Sequence, residues 1–480
     1  MRILIASTTD LGGGAETSAW NLFNTYRSRG HLASLAVGGK LSDDPNVFPI
    51  PNDAFRSVWA RLWLGVGYRI GLNLHDRQKL DRLNHCIRAI SEPRRWLETE
   101  MGHEDYKHPG THQLLELCES PEILHCFNLH GGYFDLSALP WLSGQLPVIL
   151  DLRDAWLLSG HCAHSFDCDR WKIGCGECPD LNIPPKIRRD ATAYNWQRKY
   201  QIYSNSRLYV STPCQWLMKR VAQSILAPGI VDSRVIPTGV DLAVFHRADQ
   251  STARAKLKLP QDAKILLFAA NGVRRNIWKD YDTVRSAVAL VGEHFQRAKI
   301  LCLALGDHSP PEQLGEAEVR FIPFENNSAT IARYYQAADL YVHAARADTF
   351  PRVVLEALAC GTPVIATAVG GLSEQIRGLR CETSPDSYLN TYGADEATGV
   401  LVAKGDVKGM AQAIERMLKE DQLRYRIGHN ARKDAEERFD LQRQADQYLE
   451  WYQEILRNYQ NHPSQKFGDH QITLNSKGYA

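Results

Sequence analysis

Short apolar runs, each the length of one strand, alternate along this chain with helical segments, and the alternation occurs in two separate series. A strand followed by a helix and another strand can return to the same sheet only as a parallel neighbour, with the helix packed over one face. The first series opens with residues 2–7 as a strand and Thr8 to Gly14 as a turn. Ala15 to Arg29 then form a helix with Ala19, Leu22, Phe23 and Tyr26 on one stripe, ended by Gly30. Leu32 to Val37 follow as a strand, and 123–126, 148–151, 208–211 and 234–237 read as further strands. The second series starts at Lys264 to Ala269 and continues through 299–305, 319–322, 340–343 and 363–367. A charged, turn-rich stretch at about 239–262 reads as the linker. The expectation is an α/β chain of two Rossmann-like doubly wound domains, 1–245 and 246–439, facing across a cleft that receives a ligand at the strand carboxyl ends. Residues 406–460 read as charged helix and 461–480 as a disordered polar tail.

The 56 Lys and Arg are balanced by 55 Asp and Glu, so no overall basic field favours nucleic acid. No window holds the ~20 apolar residues of a spanning helix, and the first strand runs straight into a polar turn, unlike a signal segment. The expected location is cytoplasmic, with reduced cysteines. Residues 53–120 are rich in Trp, Arg and His, lack a clear strand, and read as a helical insertion. Two readings of it stay open: a packing subdomain, or a membrane-surface element using Trp59, Trp63, Arg56, Arg61 and Arg69.

Residues 338–376 concentrate the chemistry. The strand 340–343 leads into a loop, and Pro351 suits the first position of a helix that ends at Cys360-Gly361. The amino end of that helix therefore opens at a strand carboxyl end, where free amides can receive an anion. Asp348 precedes it and Glu356 lies eight positions later, two carboxylates suited to accept from sugar hydroxyls. Gly370-Gly371 permits close backbone approach before the next helix.

This stretch closely resembles the donor-binding motif of the retaining glycosyltransferases of family 4. The resemblance implies a GT-B fold, with a last helix at about 440–460 returning to the first domain. It implies that Glu356 holds the ribose of a nucleotide sugar and that Asp348 approaches the donor sugar, aided by Thr349, Phe350 and Pro351. Asp348 stands for a commoner Glu, and Thr349-Phe350-Pro351-Arg352 for a more usual Gly-Phe-Gly turn. The family also carries an Arg and a Lys five apart after the first strand of the second domain, matched by Arg274 and Lys279, with Arg275 as a substitute. Such cations would stabilise the leaving diphosphate. Gly370 and Gly371 join the donor-binding set. The loop holding Gly13, Gly14 and Glu16 fails the dinucleotide fingerprint because Thr17 stands where Gly is needed. In the family it lies near donor phosphates and acceptor.

Cys162, Cys168, Cys175 and Cys178 fall within seventeen residues, the last two as C-x-x-C. Four thiolates suit a structural zinc, with His161 and His164 in reserve; the other reading is cysteines packing a loop. Together with Asn128 to Phe134, this segment resembles a bacterial polysaccharide-assembly branch of the family. Arg153 occupies a place where the family often has His, and either contacts the donor or pairs with Asp154. His130 is an acceptor-side candidate or a hydrogen-bonded loop residue. The expected activity is transfer of a sugar from a UDP- or GDP-type nucleotide diphosphate sugar to a hydroxyl of a glycan or lipid-linked acceptor, with retention. No aspartate pair suggests a catalytic metal, and peripheral contact with the inner membrane face fits a lipid-linked acceptor. Two rivals remain: an epimerase of the same architecture, and a non-catalytic nucleotide-sugar-binding or scaffold protein.

Overall fold

The computed structural model describes residues 1–71, 77–295, 298–379 and 391–461, so that all but the first residue of the expected tail lies outside the described residues. The first sheet is wholly parallel and has the order β3-β2-β1-β4-β5-β6-β7. Its strands are β1 (Arg2–Thr9), β2 (Leu32–Gly39), β3 (Val47–Pro49), β4 (Ile123–Phe127), β5 (Val148–Asp151), β6 (Leu208–Thr212) and β7 (Ile230–Val235). The order reverses between β1 and β4. The second sheet has nine strands in the order β10-β11-β9-β8-β12-β13-β16-β14-β15. They are β8 (Lys264–Ala269), β9 (Ile300–Leu305), β10 (Glu312–Leu314), β11 (Ala317–Ile322), β12 (Leu340–His343), β13 (Val364–Thr367), β14 (Gly378–Leu379), β15 (Thr391–Tyr392) and β16 (Gly399–Val402). Only β10 runs antiparallel, against β11, and the order reverses between β8 and β12. In both sheets the reversal splays two crossovers apart and leaves a crevice at the carboxyl ends.

The helices that position the site are α1 (Gly14–Ser28), α2 (Val58–Gly71), α3 (Arg77–Ser91), α4 (Pro93–Glu100), α5 (Arg352–Ala359) and α6 (Leu441–Asn461). Residues 53–120 are helical, with no strand among those described. Pro351 sits one position earlier than expected: it is extended (φ −66°, ψ 127°) and caps α5, which begins at Arg352. The last strand of the first domain spans 230–235 rather than 234–237, and none of its residues is buried, as suits an edge.

α6 returns to the first sheet. Tyr448, Trp451 and Tyr452 are fully buried in one cluster with Ile3, Phe23, Tyr26 and Ile149. Each also finds a polar partner: Tyr448 Oη donates to Asp151 (2.9 Å), Trp451 Nε1 to Asp232 (2.7 Å), and Tyr452 Oη lies 2.6 Å from His125 Nδ1. The two interdomain passages of the chain lie side by side. Val240 N donates to Phe439 O (2.8 Å) and Leu441 N to Val240 O (3.1 Å). A Cβ at Gly239 would stand 2.5 Å from Leu441 Cα, so the passages can lie this close only with glycine there. Removing the indole in Trp451→Ala should lower stability by about 3–5 kcal/mol, the cost of a large buried cavity, read from the urea midpoint of the transition that unfolds the first domain.

Candidate active site

Both reversal points open on one cavity of about 640 Å³. The first domain contributes Gly14, His130, Arg153 and Asp154 at the ends of β1, β4 and β5; the second contributes Asn276, Trp278 and Lys279 after β8 and residues 347–352 after β12. Lys279 Nζ forms an ion pair with Asp348 and lies 3.1 Å from His343 Nε2, itself 3.2 Å from the same carboxylate. Tyr341 Oη backs the imidazole at 3.1 Å from Nδ1. Burial alone would raise the Asp348 pKa, but the Lys279 charge and the His343 contact more than offset it and hold the carboxyl well below its usual range. His343 is pushed down to about 4, first by burial and then by the charge of Lys279, so it is neutral at pH 7.

The loop 348–351 is seated from below by the glycine pair. A Cβ at Gly370 (φ +56°) would stand 1.8 Å from Asp348 O, and one at Gly371 2.1 Å from Thr349 O. Gly371 N donates to Thr349 O at 3.0 Å. These glycines therefore support the loop and do not line the cavity, where their expected contact with a ligand would have put them. Phe350 packs against the cores of both domains.

Several expected residues are placed elsewhere. Arg274 pairs with Glu312 and lies over the Phe321 ring (4.5 Å), directed away from the cavity, because an acid and an aromatic face on neighbouring elements compete for it. Arg275 is exposed and also outside the lining. Glu356 is buried one turn into α5, accepting from Tyr335 Oη (3.1 Å) and Arg352 (3.2 Å); Arg352 is the member of that pair that lines the cavity. Gly13 caps α1 and Glu16 folds back over it, so neither lines the cavity, whereas Gly14 does.

His130 Nε2 lies 2.7 Å from Asp154 Oδ2. Burial would lower the His130 pKa; the Asp154 charge and hydrogen bond outweigh it and hold the imidazole above its ordinary value. Arg153 donates to Asp151 (2.6 Å) and to Thr238, leaving its buried Nε without a partner. Its pairing with Asp154 is not formed; Asp154 serves His130 instead.

The cysteine-rich loop reaches the cavity through His164, a role the spacing of its cysteines did not suggest. The imidazole stacks on Trp216 (centroids 5.5 Å apart), and Phe166 stacks on Trp278 of the other domain (5.5 Å). His164 Nε2 is buried without a partner, and burial, then Arg220, push its pKa down to about 4. Cys162, Cys168, Cys175 and Cys178 with His161 line a separate void of about 20 Å³. Their thiols are free, and burial pushes Cys162 up to about 11 and Cys175 to about 12. The donor set suits zinc, yet among the described residues no three His, Cys, Asp or Glu side chains are arranged to hold a metal ion.

The family model for glycosyl transferases group 1 matches residues 249–434, most of the domain that carries Lys279, Asp348 and α5. This chain carries a group 1 glycosyltransferase domain. The D-inositol 3-phosphate glycosyltransferase of Saccharomonospora viridis is 29% identical over 343 residues, which cover 68% of this chain and 71% of the relative. The protein of that name from Nocardioides sp. is 33% identical over 239 residues, covering 45% and 47%. A protein of Escherichia coli named as a candidate colanic acid biosynthesis glycosyl transferase, WcaC, is 28% identical over 260 residues, covering 52% and 60%. The chain thus spans about half to seven-tenths of these curated relatives. Anabaena HepE, solved with UDP and glucose, superposes with a TM-score of 0.58 at 16% identity, covering 94% of this chain and 99% of HepE. The glycosyltransferase WaaG gives 0.56 at 15%, with the same coverage. The two facing parallel-sheet domains are the GT-B fold.

Between pH 6.5 and 4 an unfolded His343 takes up a proton that the folded one refuses. Protons therefore favour unfolding, and the contribution of His343 to stability should fall as pH drops through that window and be constant above it. Urea unfolding of His343→Gln should show a shallower loss over pH 6.5 to 4 than the parent chain.

Proposed function

We propose that the chain transfers a glycosyl group from a nucleotide diphosphate sugar to a hydroxyl of a glycan or lipid-linked acceptor, with retention, in polysaccharide or glycoconjugate synthesis. The reading rests on one observation: Lys279, Arg352 and the amino end of α5 converge from the second domain on a cavity whose opposite wall carries His130 and Arg153. In the reaction the bond from the anomeric carbon to a diphosphate oxygen breaks and its electron pair stays on that oxygen. The acceptor oxygen bonds to the same carbon, and its proton passes to the leaving phosphate. Charge grows on the diphosphate as the bond breaks, so fixed cations lower the barrier more than they tighten ground-state binding.

In this scheme Lys279 and Arg352 meet the diphosphate together with the first-turn amides of α5, and Glu356, which lies behind Arg352 and not in the cavity wall, takes the ribose once Arg352 turns to the diphosphate. Asp348 and the amides near Phe350 and Pro351 orient the sugar, as His164 does through its free nitrogen. His130, held by Asp154, faces the acceptor. Domain approach across the Phe166–Trp278 stack excludes water. A structural zinc at the four cysteines would hold the loop that carries His164 and take no part in the reaction. The UDP and glucose carried by HepE make uridine the first base to test.

Calorimetry with UDP-, GDP-, ADP-, CDP- and dTDP-sugars should show binding of one donor class, weakened at least about ten-fold in Glu356→Ala. Lys279→Ala should reduce turnover roughly 10²- to 10³-fold, as for other lost transition-state donors. Absence of binding by every nucleotide sugar to folded protein would overturn the donor site and leave the scaffold reading. Binding with donor isomerised and no acceptor consumed would establish the epimerase.

A further inference from the structure

α2 is built inside out for a helix of a globular domain. Only Ala60 and Gly67 are buried, both on the side facing α3. The opposite side presents Val58 (73% exposed), Trp59 (55%), Leu62 (59%), Val66, Tyr68 (71%) and Ile70 to the surroundings. At 100° per residue, Val58, Leu62 and Val66 fall on one outward stripe, with Trp59 and Ile70 along one edge and Tyr68 along the other. A continuous apolar face of this kind marks an interaction site.

The charge around it says what covers it. Residues 56–95 contain nine Lys and Arg against three Asp and Glu, whereas the whole chain is balanced to +1. Arg61 and Arg69 on α2 are exposed beside this face, as are Arg82 on α3 and Arg94 on α4 elsewhere on the hairpin region. Arg69 lies on the apolar stripe itself and Arg61 on its flank, each long enough to lay its stem along the apolar surface and carry its charge outward. Fourteen residues of helix extend about 21 Å, too short for a ~30 Å hydrocarbon core, and among the described residues no helix is long and apolar enough to cross a membrane. Apolar, aromatic and basic side chains on one exposed helix are the pattern of an element lying in a lipid interface.

We propose that the α2–α3 hairpin docks the protein on an anionic lipid surface, with Trp59, Leu62 and Val66 inserted among the acyl chains and Arg61 and Arg69 on lipid phosphates. The inner side of the same hairpin supplies Leu64 and Arg88 to a second cavity of about 500 Å³, which shares His130, Gly131 and Pro185 with the cleft. Docking there sets the acceptor side of the cleft against the bilayer.

The test is flotation of the full chain with phosphatidylcholine vesicles, with and without phosphatidylglycerol. The expected result is partitioning to the anionic vesicles, on the order of ten-fold weaker to neutral ones and weakened by high salt. Trp59→Glu/Leu62→Glu, both exposed, should reduce partitioning to anionic vesicles at least about ten-fold at unchanged melting temperature. Arg61→Glu/Arg69→Glu should flatten the salt dependence. Tyr425→Glu, an exposed aromatic of the second domain, should bind like the parent. Three outcomes overturn the proposal: no flotation with either vesicle, equal binding to neutral and anionic vesicles, or a dimer in sedimentation that Trp59→Glu/Leu62→Glu splits while flotation is unchanged. Nucleotide-sugar calorimetry on the same variants reads the donor site separately, so failure of one does not count against the other.

Discussion

The paired passage of the chain between domains is the constraint on which the rest of the structure depends. Gly239 against Leu441, with the hydrogen bonds of Val240 to Phe439 and Leu441, ties the two domains at one edge. α6 then anchors the end of the chain on the first sheet with three buried aromatics, each polar tip satisfied. Burying those rings stabilises the first domain through area removed from water; their hydrogen bonds add specificity, because an unmatched buried hydroxyl or indole would cost what the ring gains. With the domains tied on one side, the two strand-order reversals are left facing each other on the other.

Contacts across that opening are few and directional. The Glu374 carboxylate of the second domain accepts from Gln215 N (2.8 Å) and Trp216 N (2.7 Å), capping a first-domain helix. Phe350 touches both cores, and the Phe166–Trp278 stack bridges the cysteine-rich loop to the β8 loop. Caps and rim aromatics of this sort bring the walls together while leaving an aqueous cavity between them. At its wall Asp348 is kept ionised chiefly by the charge of Lys279, while His343, buried behind it, is kept neutral first by burial and then by that same charge. In the proposed scheme, a ligand anion that recruits Lys279 would weaken its hold on Asp348 and leave that carboxylate open to sugar hydroxyls.

The strands of both sheets were legible where they are buried on both faces. Residues 264–269 and 340–343 read as continuous apolar runs because parallel strands under helices have no polar side. The edge strand Ile230–Val235 and the short pieces β10, β14 and β15 carry no such signal, since their neighbours and not their own composition make them strands. At the site, Asp348 and the 349–351 turn could be picked out by residue type and helix-end position, and Lys279 and His130 by the resemblance; all meet in the cavity. Arg274 has the same spacing credentials but a closer acid in Glu312, a competition that linear spacing does not contain. Arg352 and Trp278 gave no signal of their own that they face the cavity, and His164 reads only as a spare metal ligand.

The sequence by itself determined the class of fold, the two-domain division, and the loops that carry chemistry, because burial periodicity and helix-end rules are local properties of the chain. It also determined the excess of positive charge over residues 56–95. Only the tertiary structure decided which cations face the cavity, that Gly370 and Gly371 support the 348–349 backbone instead of lining the cavity, and that the apolar side of α2 points outward. Those outcomes depend on which of several equally possible partners lies within a few ångströms, and that distance is set by packing between segments far apart in the chain.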